Sequence, residues 1–270
     1  MIFGCFDTLF AIQYEKKQKD CDNIMYFKQK TVLVTGSSRG IGKAIAFAFG
    51  QAGCRVVLNG SRNADQLKQT YQEMIQQGIS CMAILADVSD YTACETMFAQ
   101  IKETFGDVDI LVNNAGISYI GLFTDMKPQD WQHLLAVNLH SVLHCTHLAT
   151  PAMVRKQSGA IVNISSIWGA EGASCEAVYA ASKGGINAFT KAMAKELGPS
   201  HIRVNAIACG VIDTEMNDCF SKEEKQALTE EIPLMRFGMP QEIAQAALYL
   251  ASEQASFLTG QIITLDGGMT

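Results

Sequence analysis

The sequence predicts a single doubly wound α/β domain, a parallel seven-stranded sheet with helices on both faces. Three observations carry this. Short, nearly continuous apolar runs recur along the chain, as in strands buried on both faces. Segments with helical apolar spacing separate them, the alternation of βαβ units. A glycine-rich turn, Gly36-Ser-Ser-Arg-Gly40-Ile-Gly42, joins the first apolar run to the first helical segment, at the strand end where such sheets hold ligands.

In chain order the apolar runs place strands at 31–34, 55–58, 81–86, 110–112, 160–164, 203–207 and 261–265. Helical spacing occupies about 40–52, 64–77, 91–105, 128–156, 177–197 and 240–252. A loop rich in Gly and Ala fills the gap after 164, and a short loop runs from Thr214 to Met235. There is no repeat and no Pro- or Ser-rich linker, so 28–270 reads as one domain. Residues 1–27 read as an N-terminal extension: Asp7 breaks their apolar stretch and no basic residue precedes it, unlike a secretory signal. Met25 lies where such a domain would begin, so the expectation is that translation starts there or that residues 1–24 form a loosely held extension.

With 48% apolar and 18% charged residues, 270 residues suffice for a large core. The net charge of −6 argues against nucleic acid or an anionic membrane surface as partner. No apolar run approaches the ~20 residues that span a bilayer. Nine cysteines without a Cys-x-x-Cys pair suggest reduced thiols in a cytoplasmic protein.

The chemistry gathers in Ala160–Asn187. The strand ends in Ser165-Ser166, and the helix that follows carries Tyr179 and Lys183, four residues apart and so on one face. A neighbouring ammonium should lower the phenol's pKa towards the working range. The Ser166 hydroxyl could hold a carbonyl oxygen beside that phenol while a hydride reaches the carbon. At the glycine turn, Gly36, Gly40 and Gly42 allow close backbone approach to a pyrophosphate at a helix N-terminus. The second strand ends in Asn59-Gly60-Ser61-Arg62, without the carboxylate that usually holds ribose hydroxyls. Arg39 and Arg62 instead suit a 2′-phosphate, which points to NADP(H).

Together these motifs resemble the short-chain dehydrogenase/reductase family, of the Rossmann type, over essentially 28–270. The resemblance implies a catalytic set of Asn138, Ser166, Tyr179 and Lys183, with Asn138 holding a water that relays protons to the lysine. It implies cofactor contacts from the turn (Gly36, Ser38, Arg39, Gly40, Ile41, Gly42), from Ser61 and Arg62, and from Asp87 and Val88 at the adenine. Asn114, Ala115 and Gly116 would line the nicotinamide-side ribose, with Tyr179 and Lys183 also touching cofactor. Ile212 and Thr214 would hold the carboxamide, although Cys209 stands where the family usually has proline, which leaves that turn's rigidity open. Within the family the chain is most similar to 3-oxoacyl-(acyl-carrier-protein) reductases, which implies NADPH and a homotetramer. The segment from Ser165 to Glu176 also looks like a branch that reduces a 5-aminopentanone on elongation factor P, where an acidic Glu176 would suit a cationic substrate. A non-catalytic nucleotide-binding regulator would usually lack the tyrosine or the lysine.

His140, His144 and His147 share a helix face, but one helix does not easily converge three metal ligands, so no metal is expected. An interface or core role suits them better. Cys175, Glu176 and Trp168 could border the substrate pocket.

Overall fold

The computed structural model describes residues 26–217 and 220–270. The expected extension lies, except for Tyr26 and Phe27, outside these residues. Phe27 is fully buried, its ring edge-on to Phe49 with centroids 5.6 Å apart, so the packed core includes it.

Seven parallel strands form one sheet in the order β3-β2-β1-β4-β5-β6-β7. They are β1 (Thr31–Val34), β2 (Arg55–Gly60), β3 (Cys81–Leu85), β4 (Ile110–Asn113), β5 (Gly159–Ser166), β6 (Ile202–Cys209) and β7 (Ile262–Leu265). The helices are α1 (Gly40–Gln51), α2 (Ala64–Gln76), α3 (Tyr91–Phe105), α4 (Pro128–Leu135), α5 (Ser141–Lys156), α6 (Trp168–Glu171), α7 (Ala177–Leu197), α8 (Lys222–Glu230) and α9 (Pro240–Ala251).

The strands alternate their side chains between two cores. Val32 and Val34 of β1 pack with Ile45 and Phe49 of α1 and Ile243 and Leu250 of α9. Leu33, between them, packs on the other face with Met97 and Ile101 of α3 and Met153 of α5. Both faces are therefore covered, as the apolar runs require. The strand order reverses between β1 and β4, which pair in register from Val32↔Ile110 to Val34↔Val112. The loops beyond these carboxyl ends open the crevice that holds the site.

Several elements differ from the sequence expectation, α6 among them, a short helix in the stretch expected to be a Gly- and Ala-rich loop. β5 runs on through Ser165 and Ser166, because both pair with β6 at Ala208 and Cys209. The expected helix over 128–156 contains a π turn, Ala136–His140, between α4 and α5. A helix, α8, interrupts the expected loop from Thr214 to Met235; Ser221 and Glu224 cap it reciprocally.

Candidate active site

Strand alternation separates the two serines at the end of β5. Ser165 Oγ donates to the Lys183 carbonyl at 3.3 Å, tying the strand to α7. Ser166 Oγ accepts from the Trp168 N–H at 3.2 Å and hydrogen-bonds the Tyr179 side chain. Trp168 is partly buried and opens α6 beside this serine. Helix α7 sets Tyr179 and Lys183 one turn apart, with the Lys183 Nζ 5.6 Å from the phenol ring centroid. That ammonium is buried and donates to the Ile164 carbonyl at 2.8 Å.

The electrostatics correct one expectation. Burial raises the Tyr179 pKa; the Ser166 hydrogen bond opposes this, and the Glu176 charge adds to it. Burial is the largest influence on the phenol; it also brings the Lys183 pKa down to about 8, with Nζ bonded to a backbone carbonyl. In this state Tyr179 is a neutral phenol.

Asn138 lies in the π turn, fully buried. Its Oδ1 accepts from the Ile117 N–H at 2.8 Å, and its Nδ2 donates to the Ile117 carbonyl at 2.9 Å and to Ser182 Oγ at 3.2 Å. The amide thus ties the loop after β4 to α7. A side chain at Gly116, on the same loop, would come within 3.7 Å of Lys183 Nζ and 3.5 Å of Asn138 Oδ1. Asn138, Ser166, Tyr179 and Lys183 therefore meet at one place.

The glycine turn is fixed by its neighbours. A Cβ on Gly36 would sit 2.8 Å from Ala115 Cα, and one on Gly42 2.4 Å from the Gly36 carbonyl. Gly36 also adopts a left-handed φ of 62°. Helix α1 starts after Arg39 with no side-chain cap and no acidic residue in its first turn, leaving its N-terminal amides, including those of Ile41 and Gly42, for an anion. Thr214 packs against Gly40, with Cγ2 3.5 Å from the position of a Cβ there. Ile212 is buried and pairs with Gly238. Cys209, in place of proline, is held between β5 and β7, so the turn is anchored by strand pairing. A dinucleotide pyrophosphate fits this cradle.

Asn114 holds the cradle together: its Nδ2 donates to the Thr35 and Gly36 carbonyls at 2.9 and 3.0 Å. The N–H groups of Asn114 and Ala115 both donate to Thr35 Oγ1, at 2.9 and 3.0 Å. Ser38 is fastened by its carbonyl, which accepts from Thr70 Oγ1 at 2.8 Å. Asp87 caps its own turn through Ser89, and the buried Val88 offers its carbonyl to His144 Nδ1 at 3.1 Å. Ser61 and Arg62 are exposed at the end of β2. Arg39 Nη1 contacts Glu215 Oε2 at 2.6 Å, and Arg62 Nη2 contacts His133 Nε2 at 2.9 Å.

Sequence reasoning missed Asn59, Ser118 and the buried asparagines. Asn59, where a ribose-binding carboxylate was sought, accepts from the Gly36 N–H at 3.3 Å and donates to the Ala86 carbonyl at 3.0 Å. It braces the glycine turn against β3, and its place at the end of a buried strand was the available signal. Ser118 Oγ donates to Glu176 Oε1 at 2.6 Å. Glu176 thereby joins Tyr119, Phe123, Met126 and Leu134 around a cleft that reaches Tyr179. Cys175 borders it in a left-handed conformation, φ 63°, its carbonyl accepting from Gly121 N–H. His140, His144 and His147 run along the surface beside Tyr91, and among the described residues no group of three or more His, Cys, Asp or Glu could hold a metal. Among them, too, no helix is long and apolar enough to cross a membrane.

The profile of a family described as enoyl-(acyl carrier protein) reductase matches residues 36–270. The 3-oxoacyl-[acyl-carrier-protein] reductase FabG of Staphylococcus aureus (strain Mu50) is 41% identical over 240 residues, 89% of this chain and 98% of the relative. An uncharacterized oxidoreductase, YmfI, of Bacillus subtilis is 40% identical over 240 residues, 88% and 98% of the two chains. A solved structure from Agrobacterium tumefaciens, provisionally assigned as a gluconate dehydrogenase, superposes with a TM-score of 0.86 at 36% identity, covering 90% of this chain and 98% of the other. The chain belongs to the short-chain dehydrogenase/reductase family, oxidoreductases that bind a nicotinamide cofactor and act on the CH-OH/C=O pair.

Proposed function

We propose that the protein is an NADPH-dependent reductase of 3-oxoacyl thioesters, with Tyr179 delivering the proton to the keto oxygen. The observation that carries this reading is the hydrogen-bonded Ser166–Tyr179 pair beside a buried lysine, at the mouth of a dinucleotide cradle. Bound cofactor supplies the hydride. Ser166 holds the carbonyl oxygen, Tyr179 hands it a proton, and Lys183 carries the positive charge that steadies the phenolate left behind. Asn138 keeps the loop over Lys183 in place through Ile117. Gly36, Gly40, Ile41 and Gly42 hold the pyrophosphate; Arg39 and Arg62, with no carboxylate at the end of β2, favour the 2′-phosphate. Ile212 and Thr214 hold the carboxamide end, and Asp87 and Val88 the adenine. By likeness to the reductases of acyl-carrier-bound chains, the working form is a cytoplasmic homotetramer that meets acyl carrier protein.

A second reading rests on Glu176. A carboxylate bonded to Ser118 in the cleft that reaches Tyr179 suits a ketone bearing an amine, such as the 5-aminopentanone group on elongation factor P. The deciding experiment is NADPH oxidation by the purified protein with each substrate. Rapid turnover of a 3-oxoacyl thioester supports the first reading. Turnover of the amino-ketone alone, lost in Glu176→Gln, establishes the second.

A further inference from the structure

The two guanidinium groups at the cofactor rim have different partners. Arg62 Nη2 faces a histidine ring nitrogen, His133 Nε2, at 2.9 Å. Arg39 faces an anion: its Nη1 is 2.6 Å from Glu215 Oε2, with side chains 60% and 49% exposed. Glu215 directly follows Thr214, whose methyl packs on Gly40, and it opens the short 3-10 turn Glu215–Asn217. That carboxylate therefore sits on the guanidinium that a 2′-phosphate would need.

We propose that Glu215 sets the cofactor preference of the enzyme, by competing with the 2′-phosphate for Arg39. The proposal rests on the reading that Arg39 receives that phosphate. A phosphorylated dinucleotide must take Arg39 from the carboxylate and lie near its negative charge. An unphosphorylated one makes no demand on Arg39, and the ion pair can persist beneath it. Glu215 thus lowers affinity for NADPH and leaves NADH untouched, narrowing the gap between them. The effect is limited by solvent, since both partners are exposed and such pairs are weak.

The test is a fluorescence or calorimetric titration of NADPH and NADH against the wild-type protein, Glu215→Gln, Arg39→Ala and the double variant. Glu215→Gln is expected to tighten NADPH about 2- to 5-fold, the range of an exposed ion pair, with NADH unchanged. Arg39→Ala should weaken NADPH selectively, and adding Glu215→Gln to it should tighten NADPH less than Glu215→Gln does alone, because only the charge repulsion is then left to relieve. If Arg39→Ala weakens NADPH selectively while Glu215→Gln leaves it unchanged or weaker, the proposal fails and the 2′-phosphate reading stands. A shift of NADPH and NADH together in Glu215→Gln also overturns it. Equal losses of both cofactors in Arg39→Ala remove the underlying reading, and the proposal with it.

Discussion

Lys183 is a cation with almost no access to water, 4% exposed, and its role and its cost come from that same burial. Its pKa lies near 8 in the folded chain, against an ordinary 10.5. Between these values the unfolded chain binds the extra proton, so this group makes stability rise with pH from about 8 to about 10.5 and exacts its full penalty below 8. Lys183→Met should abolish turnover yet stabilise the protein by about 1–2 kcal/mol at pH 7, after the lost bond to the Ile164 carbonyl is offset. At about 2–4 °C per kcal/mol, thermal melts at pH 7 and pH 10 would show the gain shrinking at the higher pH. Equal melting of both proteins at pH 7 would mean the burial penalty is absent. Tyr179→Phe removes the proposed proton donor and the partner of Ser166. It should lower kcat by several orders of magnitude with NADPH affinity unchanged, as measured by single-turnover kinetics and cofactor titration. That Ser166, Tyr179 and Lys183 come together was legible: a Ser-Ser strand end and a Tyr-x-x-x-Lys helix carry it in the sequence. The direction of the tyrosine's pKa shift was not. It depends on which carbonyl the lysine meets and on how deeply both groups are buried.

At the level of elements, a chain of buried polar side chains joins the catalytic helix to the sheet. Asn113 of β4 donates to Thr146 Oγ1 at 3.3 Å and to Asn163 Oδ1 of β5 at 2.9 Å, and Asn163 donates to Thr190 Oγ1 of α7 at 2.8 Å. The two asparagines are register partners, so the pairing of β4 with β5 brings them together. Asn163→Ala would leave Asn113 Nδ2 short of one partner and Thr190 Oγ1 without its donor. A loss of about 2–4 kcal/mol is expected in urea denaturation, with the midpoint falling and the slope unchanged. Little of this could be read in advance. Apolar runs located all seven strands, most strongly the inner ones buried on both faces, whereas the end of β5 depended on its ladder with β6. The π turn was invisible, since it forms where Asn138 bonds to Ile117, 21 residues away. Helix α8 was legible and was overlooked: Ser221 and Glu224 are a capping pair at the standard spacing.

Across the whole molecule, the cofactor crevice is shared between parts of the chain that lie far apart in sequence. The glycine turn follows β1, its opposing wall follows β4, and Ser166, Tyr179 and Lys183 arrive on β5 and α7. The overall architecture was legible because each βαβ unit announces itself locally, whereas the strand order emerges only from the pairing of the folded sheet. The Thr35 hydroxyl, accepting from Asn114 and Ala115 across 79 and 80 residues, closes this crevice. That closure has a kinetic meaning. Helices and the β1–β2–β3 side can form from near neighbours, but a place for dinucleotide exists only after a loop of that length has shut. Binding competence should therefore lag helix formation during refolding, and NADPH should slow unfolding of the finished protein without hastening the early phase. Stopped-flow circular dichroism run beside cofactor fluorescence would separate the two clocks; coincident traces would mean that the crevice assembles with the first helices. The cofactor then acts as an inspector at the end of assembly, binding only chains whose two halves have met.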